Sequence, residues 1–202
     1  MQQRLLGWDE LDDFQQLCSL TEFEVERIKR IYSQLVYLRG CFEQHLDFIN
    51  VAPAFFCEVM DALECRVVVG TTRFFDTPNN SKSLSLQGIL DKARKKYLDN
   101  KRLQDFVEKS LANLHDVQIT DIKTLRDKYY AHLDEAAFSN MGTTLDLSEI
   151  LSLLNVAEDI LRGLFDCFDL LLPPPTQQIN DLEKLIKRLY EIKSQPNTGT
   201  IE

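Results

Sequence analysis

Apolar residues recur along most of this chain at steps of three and four, the period of a helix with one buried face. Ile28, Ile31, Leu35, Leu38, Phe42 and Leu46 mark the first long stripe, and Thr21 with Glu24 reads as a capping box at its start. Ahead of it, Trp8, Leu11, Phe14 and Leu17 predict a short extra helix. Pro53 suits a first helical turn, and Phe56, Val59, Leu63, Val67, Gly70 and Phe74 continue from it. Val67-Val68-Val69 alone would fit a strand, but the period on both sides predicts helix. Composition makes 76–83 a loop, and it is the best candidate for a segment that rims a site.

Two further stripes follow, Leu86, Ile89, Leu90, Ala93, Tyr97 and then Leu103, Phe106, Val107, Ser110, Leu114, Val117. Asp121 is placed to cap a helix running to about residue 136. After a loop from Phe138, Asp146 caps another helix, with a wide apolar face from Leu147 to Leu172. Pro173-Pro174-Pro175 ends it. Ile179, Leu182, Leu185, Ile186, Leu189 and Ile192 then predict an amphipathic arm, which either folds back on the bundle or crosses to a second subunit. The tail from Ser194 reads as disordered. The expected architecture is an all-α bundle of about five core helices with helical additions at both ends. Its expected divisions are 1–20, 21–172 and 173–202.

Composition narrows the class. With 202 residues and 44% hydrophobic content, the chain can bury a sizeable core. No apolar run is long enough for a membrane span, and the opening residues turn acidic too soon for a secretion signal. The five cysteines, at 18, 41, 57, 65 and 167, lie among apolar residues without Cys-x-x-Cys spacing, as reduced core residues of a cytoplasmic protein would. The net charge of −9 argues against a general nucleic-acid coat. It leaves room for a local basic track, and Lys92, Arg94, Lys95, Lys96, Lys101 and Arg102 supply one. These side chains form either a solvated helix face or a strand-guiding groove wall.

The chemistry concentrates in Leu125-Arg126-Asp127-Lys128-Tyr129-Tyr130-Ala131-His132-Leu133-Asp134. Arg126 can pin a phosphate with a two-pronged hydrogen bond, and His132 can move protons near neutral pH. On a regular helix, at about 100° per residue, the two lie about 60° to either side of Tyr129. Both then look into whatever the helix packs against. Asp127 points to the flank, close to Lys123. A lone histidine on an apolar face also fits a hydrogen-bonded core residue. His45, His115 and His132 share no metal-ligand spacing, and no glycine-rich phosphate loop or nucleophile elbow exists. No metal or other cofactor is therefore expected. RNA needs no protein nucleophile, because its own 2′-hydroxyl can attack the adjacent phosphate.

These residues resemble a known family. Arg126-Asp127-Lys128 with Ala131-His132-Leu133-Asp134, on a late helix of a small helical domain, is similar to the HEPN domain and closest to its U-type abortive-infection branch. Thr72-Arg73-Phe74-Phe75-Asp76, followed by Ser83-Leu84-Ser85-Leu86, resembles the same branch. The resemblance spans roughly residues 25 to 172. It implies a metal-independent ribonuclease working as a homodimer in phage defence or a toxin–antitoxin system, with Arg126, Asp127 and His132 catalytic. In this reading Lys128, Lys92, Arg94, Lys95 and Lys96 touch RNA, and an antitoxin or nucleotidyltransferase is a possible partner. One HEPN subgroup is modified on a tyrosine two positions after the histidine; here Asp134 stands there. The alternative is a non-catalytic module that dimerises or binds a partner and keeps the motif as structure. A third reading has the domain grip a nucleotide.

Overall fold

A computed structural model of the protein describes residues 11–44, 46–77, 84–127, 146–170, 184 and 186–188. Within them the architecture is all-α, as the stripes predict. The helices are α1 (Asp13–Gln44), α2 (Leu46–Ile49), α3 (Pro53–Phe74), α4 (Leu86–Lys96), α5 (Lys101–Asp116), α6 (Thr120–Leu125) and α7 (Leu147–Cys167).

The break expected at Thr21 is absent, because α1 runs straight through it. Thr21 is buried, and its hydroxyl donates to the Leu17 carbonyl oxygen at 2.8 Å. The capping box lies nearer the N-terminus. Asp12 Oδ1 accepts from the backbone N–H of Phe14 (2.8 Å) and Gln15 (2.9 Å), while Gln15 Oε1 accepts from the Asp12 N–H at 3.0 Å. The buried stripe Phe14, Cys18, Thr21, Val25, Ile28 is continuous, so burial of one unbroken face outweighs the local capping preference at Thr21.

α1 packs against α3 and α7, and the α4–α5 hairpin closes over α7. The main core joins Ile28 and Leu35 of α1, Val67 of α3, Leu90 of α4 and Leu154 and Leu161 of α7, all 0–1% exposed. Val67 and Val68 are fully buried in a helix, which settles the ambiguous valine run. Gly163 permits close approach of α5 and α7, since a Cβ there would meet Phe106 Cζ at 2.2 Å. Gln104 ties the hairpin together. Its amide donates to the Arg94 carbonyl (3.1 Å) and the Tyr97 carbonyl (2.9 Å), satisfying acceptors at the end of α4. Asp146 caps α7 as expected, accepting from Ser148 and Glu149.

A smaller apolar cluster joins Leu38 and Cys41, Ile49, Phe56 and Ile186. Ile186 is 4% exposed, so this part of the C-terminal arm packs back on the bundle. All five cysteines are free. Cys18, Cys41 and Cys167 are buried, whereas Cys57 faces solvent rather than core.

Candidate functional site

The site begins where α3 stops. Beyond Phe74 the Phe75 N–H returns to the Thr72 carbonyl at 3.0 Å, and Asp76 projects from the turn that follows. α6 packs beside this end of α3. It starts without a side-chain cap; Asp121, the expected cap, sits inside the first turn, and Ile119 holds the cap position.

At the end of α6 the helix widens. The Arg126 N–H reaches both the Ile122 and Lys123 carbonyls, and residues 126–127 adopt a π-turn. The regular-helix expectation for Asp127 fails here. Asp127 does not lie against Lys123; its Oδ1 accepts from Arg126 Nε at 2.7 Å. Arg126 Nη1 donates to both Oδ1 and Oδ2 of Asp76 at 2.8 Å. Lys123 Nζ donates to the Phe75 carbonyl at 3.2 Å and stands 3.7 Å from Asp76 Oδ1. The guanidinium is thus gripped from two sides, by its sequence neighbour and by a residue 50 positions earlier. Hydrogen bonds donated to Asp127 and then to Asp76 raise the Arg126 pKa further, so its charge is permanent. The Arg126 side chain is 21% exposed and Asp76 37%, which leaves the cluster half-open to solvent. Among the described residues no acceptor engages Nη2, the edge that can receive an outside anion.

His132 and Lys128 lie outside the described residues, as do Tyr129 and Tyr130. The basic track divides. Arg94 turns to Asp91 Oδ1 (3.0 Å) and Glu108 Oε1 (3.5 Å), while Lys96 bonds Asp12 (3.1 Å) and lies over the Tyr97 ring. Lys95 is exposed and Lys92 half-buried on the same helix. Arg102 pairs with Asp169 at 3.3 Å. Carboxylates of the chain therefore meet several of these cations, and Arg94 is the one of them that shares a cleft with the connector into α6. It lines a cleft of about 340 Å³ between the end of α3, α4, α5 and the Val117–Ile119 connector.

A family model for AbiU2, an abortive-infection HEPN family, matches residues 12–185. The chain belongs to the AbiU2 HEPN family. No curated protein and no solved structure matches it. The matched span takes in the N-terminal part of α1 and reaches Ile186's neighbourhood, wider than the resemblance read from the motifs. In this HEPN domain, Asp76 is the functional candidate that residue-by-residue reading left unassigned. Two signals pointed toward it: its place in the family-like upstream block, and its position at the head of the loop expected to rim a site. Among the described residues no group of three or more His, Cys, Asp or Glu could hold a metal ion. No described helix is long and apolar enough to cross a membrane.

Proposed function

We propose that this HEPN domain is a metal-independent endoribonuclease of a phage-defence or toxin–antitoxin system. The observation that carries the proposal is the Arg126 guanidinium, held at Nη1 by Asp76 and at Nε by Asp127, with no acceptor on Nη2 among the described residues. A guanidinium fixed in this way is oriented before an anion meets Nη2, so little side-chain entropy is lost on binding a phosphate. His132 is the proton-transfer group in this reading. The substrate 2′-hydroxyl attacks the neighbouring phosphorus, a base takes its proton, an acid protonates the leaving 5′-oxygen, and a 2′,3′-cyclic phosphate remains. The single motif histidine of each chain suffices if a two-fold dimer sets two motif helices across one cleft, one His132 acting as base and the other as acid. Asp127 and Asp76 are positioning residues, acting through Arg126. The dimer, and an antitoxin or nucleotidyltransferase as regulator, belong to the same proposal.

The test is incubation of pure protein with total RNA in EDTA, with His132→Ala and Arg126→Ala controls. Cleavage should persist in EDTA, leave cyclic phosphate ends and fall about 100-fold or more in each mutant. Sedimentation at micromolar concentration should give a dimer. Cleavage by a clean monomer removes the composite site, and cleavage unaffected by His132→Ala removes the ribonuclease assignment at this motif.

One observation favours the non-catalytic alternative. Nη1 and Nε of Arg126 are already met by carboxylates of the same chain, and Asp76, Asp127, Lys123 and Arg126 sum to zero charge. A purely structural cluster would have the same composition. It would show no RNA cleavage under any condition, while Arg126→Ala would still lower stability.

A further inference from the structure

A cleft of about 340 Å³ opens beside the turn that carries Asp76. Its floor is apolar, made by Phe75, Leu111, Leu114, Val117 and Ile119, each half-buried. Gln87, Asp91 and Arg94 stand along one edge. These three are spaced i, i+4 and i+7, so they share one face of α4. The edge offers an amide with both donor and acceptor, a carboxylate acceptor and a guanidinium donor. Asp91 and Arg94 are bonded to each other at 3.0 Å, so the edge is polar but close to neutral.

The cleft and the clamp are built on the same two backbone segments. Phe75 forms part of its floor, its carbonyl takes Lys123 Nζ, and the next residue, Asp76, grips Arg126. On the other side Ile119 lines the cleft, and its carbonyl accepts from the Lys123 N–H at 2.9 Å in the first turn of α6. The Phe75–Asp76 turn and the start of α6 thus serve both the cleft and the Arg126 cluster.

We infer that this cleft receives the base of a nucleotide flanking the phosphate at Arg126, with guanine preferred. The inference rests on the RNA-directed reading above. About 340 Å³ lies at the small end of ligand sites. It suits one base and is too little for a packed peptide helix. Single-stranded RNA is recognised by splaying bases onto apolar and aromatic surfaces and bonding their Watson–Crick edges. Guanine presents two adjacent N–H donors on that edge, which a carboxylate such as Asp91 can accept together. Its carbonyl can accept a hydrogen bond from the Gln87 amide. Cytosine and uracil offer less area to the floor, and adenine presents an acceptor where guanine has its ring N–H.

The experiment is an NMR titration of the full ¹⁵N-labelled chain with 5′-GMP, 5′-AMP, 5′-CMP, 5′-UMP and inorganic phosphate. 5′-GMP should shift the amides of Leu111, Leu114 and Ile119 saturably, about tenfold tighter than 5′-CMP. Asp91→Asn should erase the preference for guanine. Gln87→Ala, an exposed position that leaves the Asp91–Arg94 pair intact, should weaken GMP alone. Equal response to all four nucleotides, response to phosphate only, or response of these amides to an apolar peptide but not to nucleotides would each overturn the inference. The outcome separates from that of the ribonuclease reading. RNA cleavage without GMP binding in the cleft sinks only the base site. GMP binding without RNA cleavage sinks only the nuclease.

Discussion

Removing Asp76 isolates the contact that fixes Arg126. Asp76→Ala deletes both acceptors of Nη1, at 2.8 Å each, and also the carboxylate 3.7 Å from Lys123. The pair is neither fully exposed nor buried, at 21% for Arg126 and 37% for Asp76. Exposed ion pairs contribute about 0.2–1 kcal/mol, and breaking fully buried ones costs about 3–5 kcal/mol. A half-open double contact falls between, so the expected loss is about 1.5 kcal/mol. With a slope of about 2 kcal/mol/M in urea, the unfolding midpoint should drop by about 0.7 M. A cycle with Asp76→Ala, Arg126→Ala and the double mutant then reads the pair itself. Its coupling energy should be about 1 kcal/mol, with a parallel Lys123→Ala cycle giving less because that contact is longer. RNA cleavage by Asp76→Ala should fall about 10- to 100-fold through misplacement of the fork, and Asp76→Asn, which keeps one acceptor, should fall less. Additive single mutants, with coupling under about 0.3 kcal/mol, would refute the claim that Asp76 positions Arg126.

Three further outcomes are expected. Burial, then the charges of Glu26 and Glu158, push the half-buried Glu22 carboxyl up from 4.5 to about 7. Because the folded value is the higher one, its stabilising contribution is complete below about pH 4.5 and is lost as pH rises through 7. Glu22→Gln should therefore gain on the wild type by about 1 kcal/mol between pH 5 and pH 8, the full shift being discounted for solvent screening. Urea curves showing the same difference at both pH values would rule this out. Gly163→Ala should lower the melting temperature by roughly 3–6 °C, because overpacking against the Phe106 ring outweighs the better helix propensity of alanine. Adding Phe106→Leu should restore most of it, and a melting point unchanged by the single mutant would contradict the close approach. Asp12→Ala should cost about 1–2 kcal/mol in chemical denaturation, since it removes the α1 cap along with the partner of the Tyr97 hydroxyl and Lys96. A loss matched by Thr21→Ala from its cap role alone would place the helix start where the sequence pattern had it.

The helices were legible wherever a stripe was long. The period through Val67-Val68-Val69 outvoted three β-branched residues, and the burial of Val67 and Val68 in α3 explains why. Ends were harder. Thr21 and Glu24 satisfy a capping pattern that the chain does not use, because the apolar face continues across them and the Asp12–Gln15 pair does the same work earlier. Asp121 failed likewise as a cap. At the site, Arg126 was visible from its chemistry, but the direction of Asp127 depended on a π-turn that no periodicity encodes. Asp76 meets Arg126 across 50 residues of chain. Such a pairing follows from how α3 and α6 pack, which one sequence does not state.

Helix α1 enters both apolar clusters. Its first turns carry Phe14 to Leu35 into the main core, and Leu38 and Cys41 near its end belong to the smaller one with Ile186. A rod of this length, about 48 Å, ends in a neighbourhood that a handful of side chains hold together. Its amide protons should therefore exchange in two classes. Those up to Leu35 should be released only on global unfolding. Those beyond Leu38 should be released in a cheaper local event that frees Ile186 and the start of α3 while the rest stays folded. Ile186 would then leave and return together with the last turns of α1, on a timescale set by that small cluster and not by the stability of the whole domain.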